Sequence, residues 1–295
     1  MNMREAFINA ANDLVEKDTK VSLILGGISV ASFSDAINKY PKRVFDAGIM
    51  EQTGIGIAAG MSISGMIPIY HTIAPFLAER AYEQLKIDFG YQKLGGNFVS
   101  NGASIDYSSF GATHQCPAEI NVIKQIPNMQ IIVPGTAHEF ETLFRDNYNN
   151  GCATYYRLCR DMNRNDQNVE LGHANVICKG DDATIIAVGP MLDMVLGAIE
   201  GLNVTVLYYT SIEPFDKETL LINSSSRKIM ICEPYYEGGI LYDVIKLFNG
   251  QPISIQQFGL PHEFCSHYGS TIENMNYWNL TIKDLRNRLE GLINR

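Results

Sequence analysis

Apolar positions along the chain switch between two spacings. Residues 3–17 repeat apolar side chains at helical spacing, and VSLIL at 21–25 is a short unbroken apolar run. The switching continues with 32–40 helical, 43–47 extended, 49–64 helical and 67–72 extended. Residues 75–91 read as a helix with Pro75 in its first turn. Beyond it, 97–101, 129–134 and 152–158 read as strands, and 118–126 and 137–150 as helices. Strands almost free of charge, separated by helices, predict an α/β fold with a mainly parallel sheet covered on both faces.

A polar interval, DMNRNDQNVELGHA at 161–174, breaks this pattern and reads as a linker. The alternation then resumes with ATIIAVG at 183–189, a helical stretch at 190–202 and NVTVLYYT at 203–210. KETLLIN at 217–223, KIMICEP at 228–234, GGILYDVIKLFNG at 238–250 and PISIQQFG at 252–259 follow. A last helix, 281–294, opens with Thr281 and Asp284 at capping-box spacing. The pattern therefore predicts two α/β domains, residues 1–160 and 175–295, each with a mainly parallel sheet. The length of 295 residues agrees with that division at roughly 150 residues per domain.

Composition narrows the function. With 23 Lys+Arg against 32 Asp+Glu the net charge is −9, which argues against a general nucleic-acid binder. The cysteines at 116, 152, 159, 178, 232 and 265 form no CxxC pair, so neither a zinc ribbon nor a thioredoxin-like site is indicated. Scattered thiols suggest buried, reduced side chains and a cytoplasmic protein. The opening MNMREAFINAANDLVEKD lacks the apolar core of a signal peptide. Residues 52–78 carry no charged side chain but include Pro68, His71 and Pro75, which suits a buried helix and strand better than a membrane span.

Three segments carry candidate chemistry. Glu51 heads the nearly charge-free helix of FDAGIMEQTGIGIAAGMSISG, where an ionised carboxylate must be paired, hydrogen-bonded or protonated. Taken alone, it fits a helix-end charge as well as a catalyst. His114 lies in FGATHQCPAE at 110–119, a glycine-containing loop between a strand and a helix. In PFLAERAYEQ, Phe76 or Tyr82 offers a face for a flat ligand, although, taken alone, core packing is the better explanation of either aromatic.

In this order, the segments resemble the transketolase family of thiamine-diphosphate enzymes. The resemblance rests on GIMEQTGIGIAAGMSISGMIP, TIAPFLAERAYEQ, GATHQCPAEINVIKQIPNMQIIVP, YYRLCR at 155–160 and CEPYYEGGIL at 232–241. It covers nearly the whole chain. The family's diphosphate-binding GDG is absent, with only GDD at 180–182. The resemblance therefore implies a pyrimidine-binding domain plus a C-terminal domain, the second subunit of a split transketolase. An N-terminal partner subunit would hold the diphosphate and its Mg2+ or Ca2+, most simply in an α2β2 heterotetramer.

Carried onto this chain, the resemblance implies that Glu51 bonds the cofactor's aminopyrimidine nitrogen, with Phe76 stacked on that ring and Ile49 beside it. His114 would face the substrate, and Arg160 would meet a substrate phosphate through its guanidinium fork. Gly102 and Phe110 stand where the family has a histidine and an acid, and Asp106 would reach the acid's place only in a remodelled loop. Ile73 replaces a phenylalanine of the aromatic run, and Tyr235 falls near a late histidine. Gly102 is expected to leave space and Phe110 to add an apolar wall. A 2-oxo-acid-decarboxylating enzyme of the same superfamily is one alternative, and a non-catalytic scaffolding chain is another. A nicotinamide-binding protein fits less well, since GGIS rather than GxGxxG follows the first strand.

Overall fold

The computed structural model describes residues 1–295. The predicted α/β class holds, in the form of two mainly parallel sheets with helices on their faces. The first sheet is built from β1 (Val21–Leu25), β2 (Val44–Asp46), β3 (Ile67–Ile73), β4 (Gly96–Asn101), β5 (Met129–Ile132) and β6 (Ala153–Leu158). All of these pair in parallel, in the spatial order β5-β6-β4-β3-β1-β2. Every residue of β1 and of β6 is buried, as expected for strands covered on both faces.

Helices α1 (Met3–Lys17) and α6 (Ala137–Asn147) cover one face, with α2 (Ser34–Lys39) at its edge. A full capping box at Asn2 and Glu5 starts α1, and Thr136 caps α6. The other face is covered by α3 (Glu51–Ile63), α5 (Glu119–Ile123) and the predicted 75–91 helix. That last helix is not regular. Two π-helical turns, Phe76–Arg80 and Leu85–Tyr91, flank a single α turn, α4 (Tyr82–Gln84). The uncharged 52–78 stretch resolves into α3 and β3, and no helix is long and apolar enough to cross a membrane.

The second sheet has the order β12-β11-β8-β9-β7. Its strands are β7 (Asn175–Cys178), β8 (Thr184–Val188), β9 (Thr205–Tyr209), β11 (Lys228–Tyr236) and β12 (Ser254–Leu260), with β7 alone antiparallel. Helices α7 (Leu192–Ala198), α8 (Lys217–Ile222), α9 (Leu241–Leu247), α10 (Thr271–Tyr277) and α11 (Ile282–Ile293) surround it. The 190–202 helix is shorter than its pattern suggests, because a 3-10 turn at Gly189–Met191 precedes it. Strands β7 and β10 and helix α10 have no counterpart in the sequence pattern. β10 (Ser211–Glu213) leaves the second unit and pairs antiparallel with β5, completing a seven-stranded first sheet. The thiols differ from expectation in part. All six are free, but Cys152 is exposed and Cys178 half-buried.

Candidate active site

The site begins where α3 meets the sheet. Asp46, the last residue of β2, accepts hydrogen bonds from the backbone N–H groups of Gly27 and Gly48 through Oδ1. This fixes the loop that carries Ile49 and Met50, whose side chains stand exposed. Glu51 then turns inward as the first residue of α3 and is 1% exposed. The small residues after it let the helix approach β3 closely. A Cβ on Gly54 would lie 2.4 Å from the ring of Tyr70, which is itself fully buried.

Glu51 is satisfied on one oxygen only. Its Oε2 accepts a hydrogen bond from Arg80 Nη1 at 2.8 Å, while its Oε1 is buried with no partner. Arg80 ends the first π-helical turn, four residues after Phe76, and its guanidinium carbon lies 4.0 Å above the Phe76 ring. The Phe76 ring meets His114 edge-on at 5.4 Å between centroids. His114 also lies 5.2 Å from Phe110 and 6.4 Å from Tyr107, and its Nδ1 is 2.9 Å from Thr113 Oγ1. Glu51, Arg80, Phe76 and His114 thus form one chain of side-chain contacts, in that order.

Gly102 does not leave the open space expected of it. Its φ is +78°, and a Cβ there would lie 2.0 Å from the ring of Tyr107. Asn101 Nδ2 donates to the Tyr107 hydroxyl at 2.7 Å and holds that ring in place. Phe110 is 60% exposed and stands as a wall beside His114. Arg160 is exposed, and its guanidinium lies 5.0 Å over the Tyr107 ring. Tyr268 of the second unit lies against Gly111 in the same loop.

Asp106 does not reach the position beside His114. It is buried, accepts the Arg160 backbone N–H through Oδ2 at 2.9 Å, and lines a separate cavity of about 560 Å3 between the two units. Burial pushes its carboxyl up to about 7, and does the same to Glu233 in the same cavity. Glu233 accepts the N–H groups of Gly238 and Ile240 and so shapes the turn after β11. Tyr235 is fully buried and lies 5.9 Å from the Arg157 guanidinium, away from solvent. Neither the cavity nor Tyr235 involves Glu51, Phe76 or His114.

Comparison with known proteins decides the family. The transketolase pyrimidine-binding domain model matches residues 1–164, and the transketolase C-terminal domain model matches residues 172–281. The chain belongs to the transketolase family. Among its relatives is an uncharacterized 33.6 kDa protein in the fasciation locus of Rhodococcoides fascians, 33% identical over 99% of this chain and 95% of that one. One of the subunits of the apulose-4-phosphate transketolase of Actinobacillus succinogenes is 27% identical over 88% of this chain and 86% of that one. A solved split-gene transketolase, described as an inactive β4 tetramer, superposes with a TM-score of 0.88 at 26% identity. That match covers 100% of this chain and 99% of the other.

Two features of the candidate site escape a reading of the sequence. Arg80 is visible in PFLAERAYEQ, four residues from Phe76, but its partner Glu51 is 29 residues away. Tyr107 gives only the signal of an aromatic three residues before Phe110. In YYRLCR the arginines divide their tasks. Arg160 is exposed, whereas Arg157 is buried and pairs with Glu119 at 2.6 Å.

Proposed function

We propose that this chain is the C-terminal subunit of a two-component thiamine-diphosphate-dependent transketolase-like enzyme. The observation that carries the reading is the buried Glu51 with an unpartnered Oε1, linked through Arg80 to the face of Phe76. A buried polar atom without a partner costs free energy until a ligand supplies one. An aminopyrimidine has a ring face for Phe76 and a ring nitrogen for Glu51, so the residues present fit the group. In this reading Ile49, exposed two residues before Glu51, contacts the same ligand. When bound, thiamine diphosphate supplies a carbanion equivalent for making and breaking carbon–carbon bonds next to a carbonyl.

The chain's own residues supply the rest. Glu51 holds a proton at the pyrimidine nitrogen, in a setting that excludes water. His114 is the proton relay or hydroxyl partner facing the substrate, and Arg160 on the rim binds a substrate phosphate. Phe110 and Tyr107 make the substrate side apolar, so the pocket reads fewer hydroxyl groups than one lined by a histidine and an acid. The reaction proposed is transfer of a two-carbon unit from a ketose or 2-oxo acid donor to a sugar acceptor. An N-terminal partner subunit carries the diphosphate and its Mg2+ or Ca2+, in an α2β2 assembly.

The test is Glu51→Gln in the reconstituted enzyme. The amide keeps the shape but cannot share the proton, and turnover should fall about 100- to 10,000-fold with folding intact. Retained turnover would leave Glu51 as a helix-end charge.

A further inference from the structure

Arg80 occupies the place in which the proposed function seats the aminopyrimidine ring. Its planar guanidinium stacks 4.0 Å over Phe76 and donates to Glu51 Oε2 at 2.8 Å. It thus covers the ring face asked of the pyrimidine and pairs the carboxylate through Oε2, beside the unpartnered Oε1 that the ring would meet. The π-helical turn makes this possible, because Phe76 and Arg80 are its first and last residues. The Arg80 side chain remains 42% exposed, so it has a path outward to solvent.

We infer that Arg80 is a placeholder for the cofactor: it fills the pyrimidine slot in the free chain and must swing out before the ring enters. The inference rests on the function proposed above and adds a gating step to it. Without the placeholder, the free chain would bury the Glu51 carboxylate with no partner on either oxygen, which is strongly unfavourable. With it, the carboxylate is paired until a ring arrives. Removal of the guanidinium then leaves Glu51 in a buried site without a cation, the condition that favours sharing a proton with a ring nitrogen. Interactions made only in the free state subtract from affinity, so Arg80 weakens cofactor binding and slows its entry.

The experiment has two arms. In the first, the full-length chain alone carries Arg80→Met, Glu51→Gln or both, and thermal unfolding is followed. Arg80→Met should lower Tm, and Glu51→Gln should recover most of the loss, because the amide needs no counter-charge. Independent, additive losses would mean that the pair is not coupled, and would overturn the placeholder.

In the second arm, the chain in complex with its diphosphate-binding partner is titrated with thiamine diphosphate and Mg2+ by calorimetry and stopped-flow fluorescence. Arg80→Met should tighten binding roughly tenfold, the combined effect of a half-exposed ion pair and one cation–π contact, and should speed association. Arg80→Lys, which keeps the charge but not the planar fork, should fall between the two. Unchanged or weaker binding by Arg80→Met would make Arg80 a bystander or a cofactor contact, and the inference would be wrong. A native complex that binds no thiamine diphosphate at all would instead remove the function on which the inference rests, a separate and recognisable outcome.

Discussion

The buried pair Arg157–Glu119 offers the sharpest test of how the two units are held together. Arg157 is 1% exposed and Glu119 fully buried. Arg157 Nε donates to Glu119 Oε1 at 2.6 Å, and its Nη2 donates to Ser104 Oγ at 2.6 Å and to the Pro234 carbonyl at 3.1 Å. One arginine of β6 therefore ties the loop after β4 to β11 of the second sheet. Glu119 also accepts from the Ser104 N–H at 3.2 Å and the Tyr155 hydroxyl at 2.9 Å. Arg157→Met preserves much of the volume but leaves Glu119 as a buried anion with two neutral donors.

Breaking such a pair from one side costs about 3–5 kcal/mol. At about 2–4 °C per kcal/mol for chains of this size class, Tm should drop by roughly 6–20 °C. Replacing both partners, as in Arg157→Met with Glu119→Leu, removes the stranded charge and should recover most of that loss. Thermal unfolding and urea denaturation of the two single variants and the double variant would measure the coupling. A loss below about 1 kcal/mol for Arg157→Met, or a double variant equal to the sum of the singles, would refute the argument.

Three further outcomes are expected. Because burial raises the Asp106 carboxyl to about 7, the folded chain keeps its proton over a range, from about pH 4 to pH 7, where an unfolded carboxylate has lost it. Its contribution to stability therefore declines as pH rises through that window, and Asp106→Asn should gain on the native chain by up to about 1.4 kcal/mol per pH unit; equal offsets in denaturation at pH 5 and pH 8 would refute this. The chain without a partner should show no tight, magnesium-dependent binding of thiamine diphosphate in calorimetry, since it carries no GDG segment. The reconstituted enzyme should turn over xylulose 5-phosphate and ribose 5-phosphate poorly compared with less hydroxylated partners; kcat/KM of about 10,000 per molar per second or more with the two pentose phosphates would contradict the apolar wall of Phe110 and Tyr107.

What the sequence discloses depends on whether the signal is local. That Glu51 needs a partner from outside its helix can be read directly, because a carboxylate opening a run of glycine, alanine and isoleucine has no neighbour on its own helix to pair with. The parallel strands are equally readable as apolar runs with few charges. Arg80 is hidden because its partner is distant in sequence and because the π-helical turn that aims it has no spacing signature. Gly102 misleads for a different reason. A glycine reports that a side chain is missing but not what fills the space, and here Tyr107 folds back from five residues further on. β10 is obscured because its three residues follow β9 with a single residue between, so one apolar stretch serves two sheets.

That short strand has a consequence for any attempt to divide the molecule. β10 supplies the antiparallel partner of β5, and the N–H of Val133 donates to the Thr210 carbonyl at 2.7 Å beside it. A fragment ending at residue 164 would keep the whole matched pyrimidine-binding region yet bare the main-chain edge of β5, including the fully buried Ile131 and Ile132. An uncovered apolar edge recruits other chains. Such a fragment should therefore precipitate or form strand-exchanged oligomers, and one running through Glu213 would seal β5 only to bare the edge of β8 that β11 covers. The strand works as a selvedge, woven from the second unit's thread to keep the first unit's cloth from fraying.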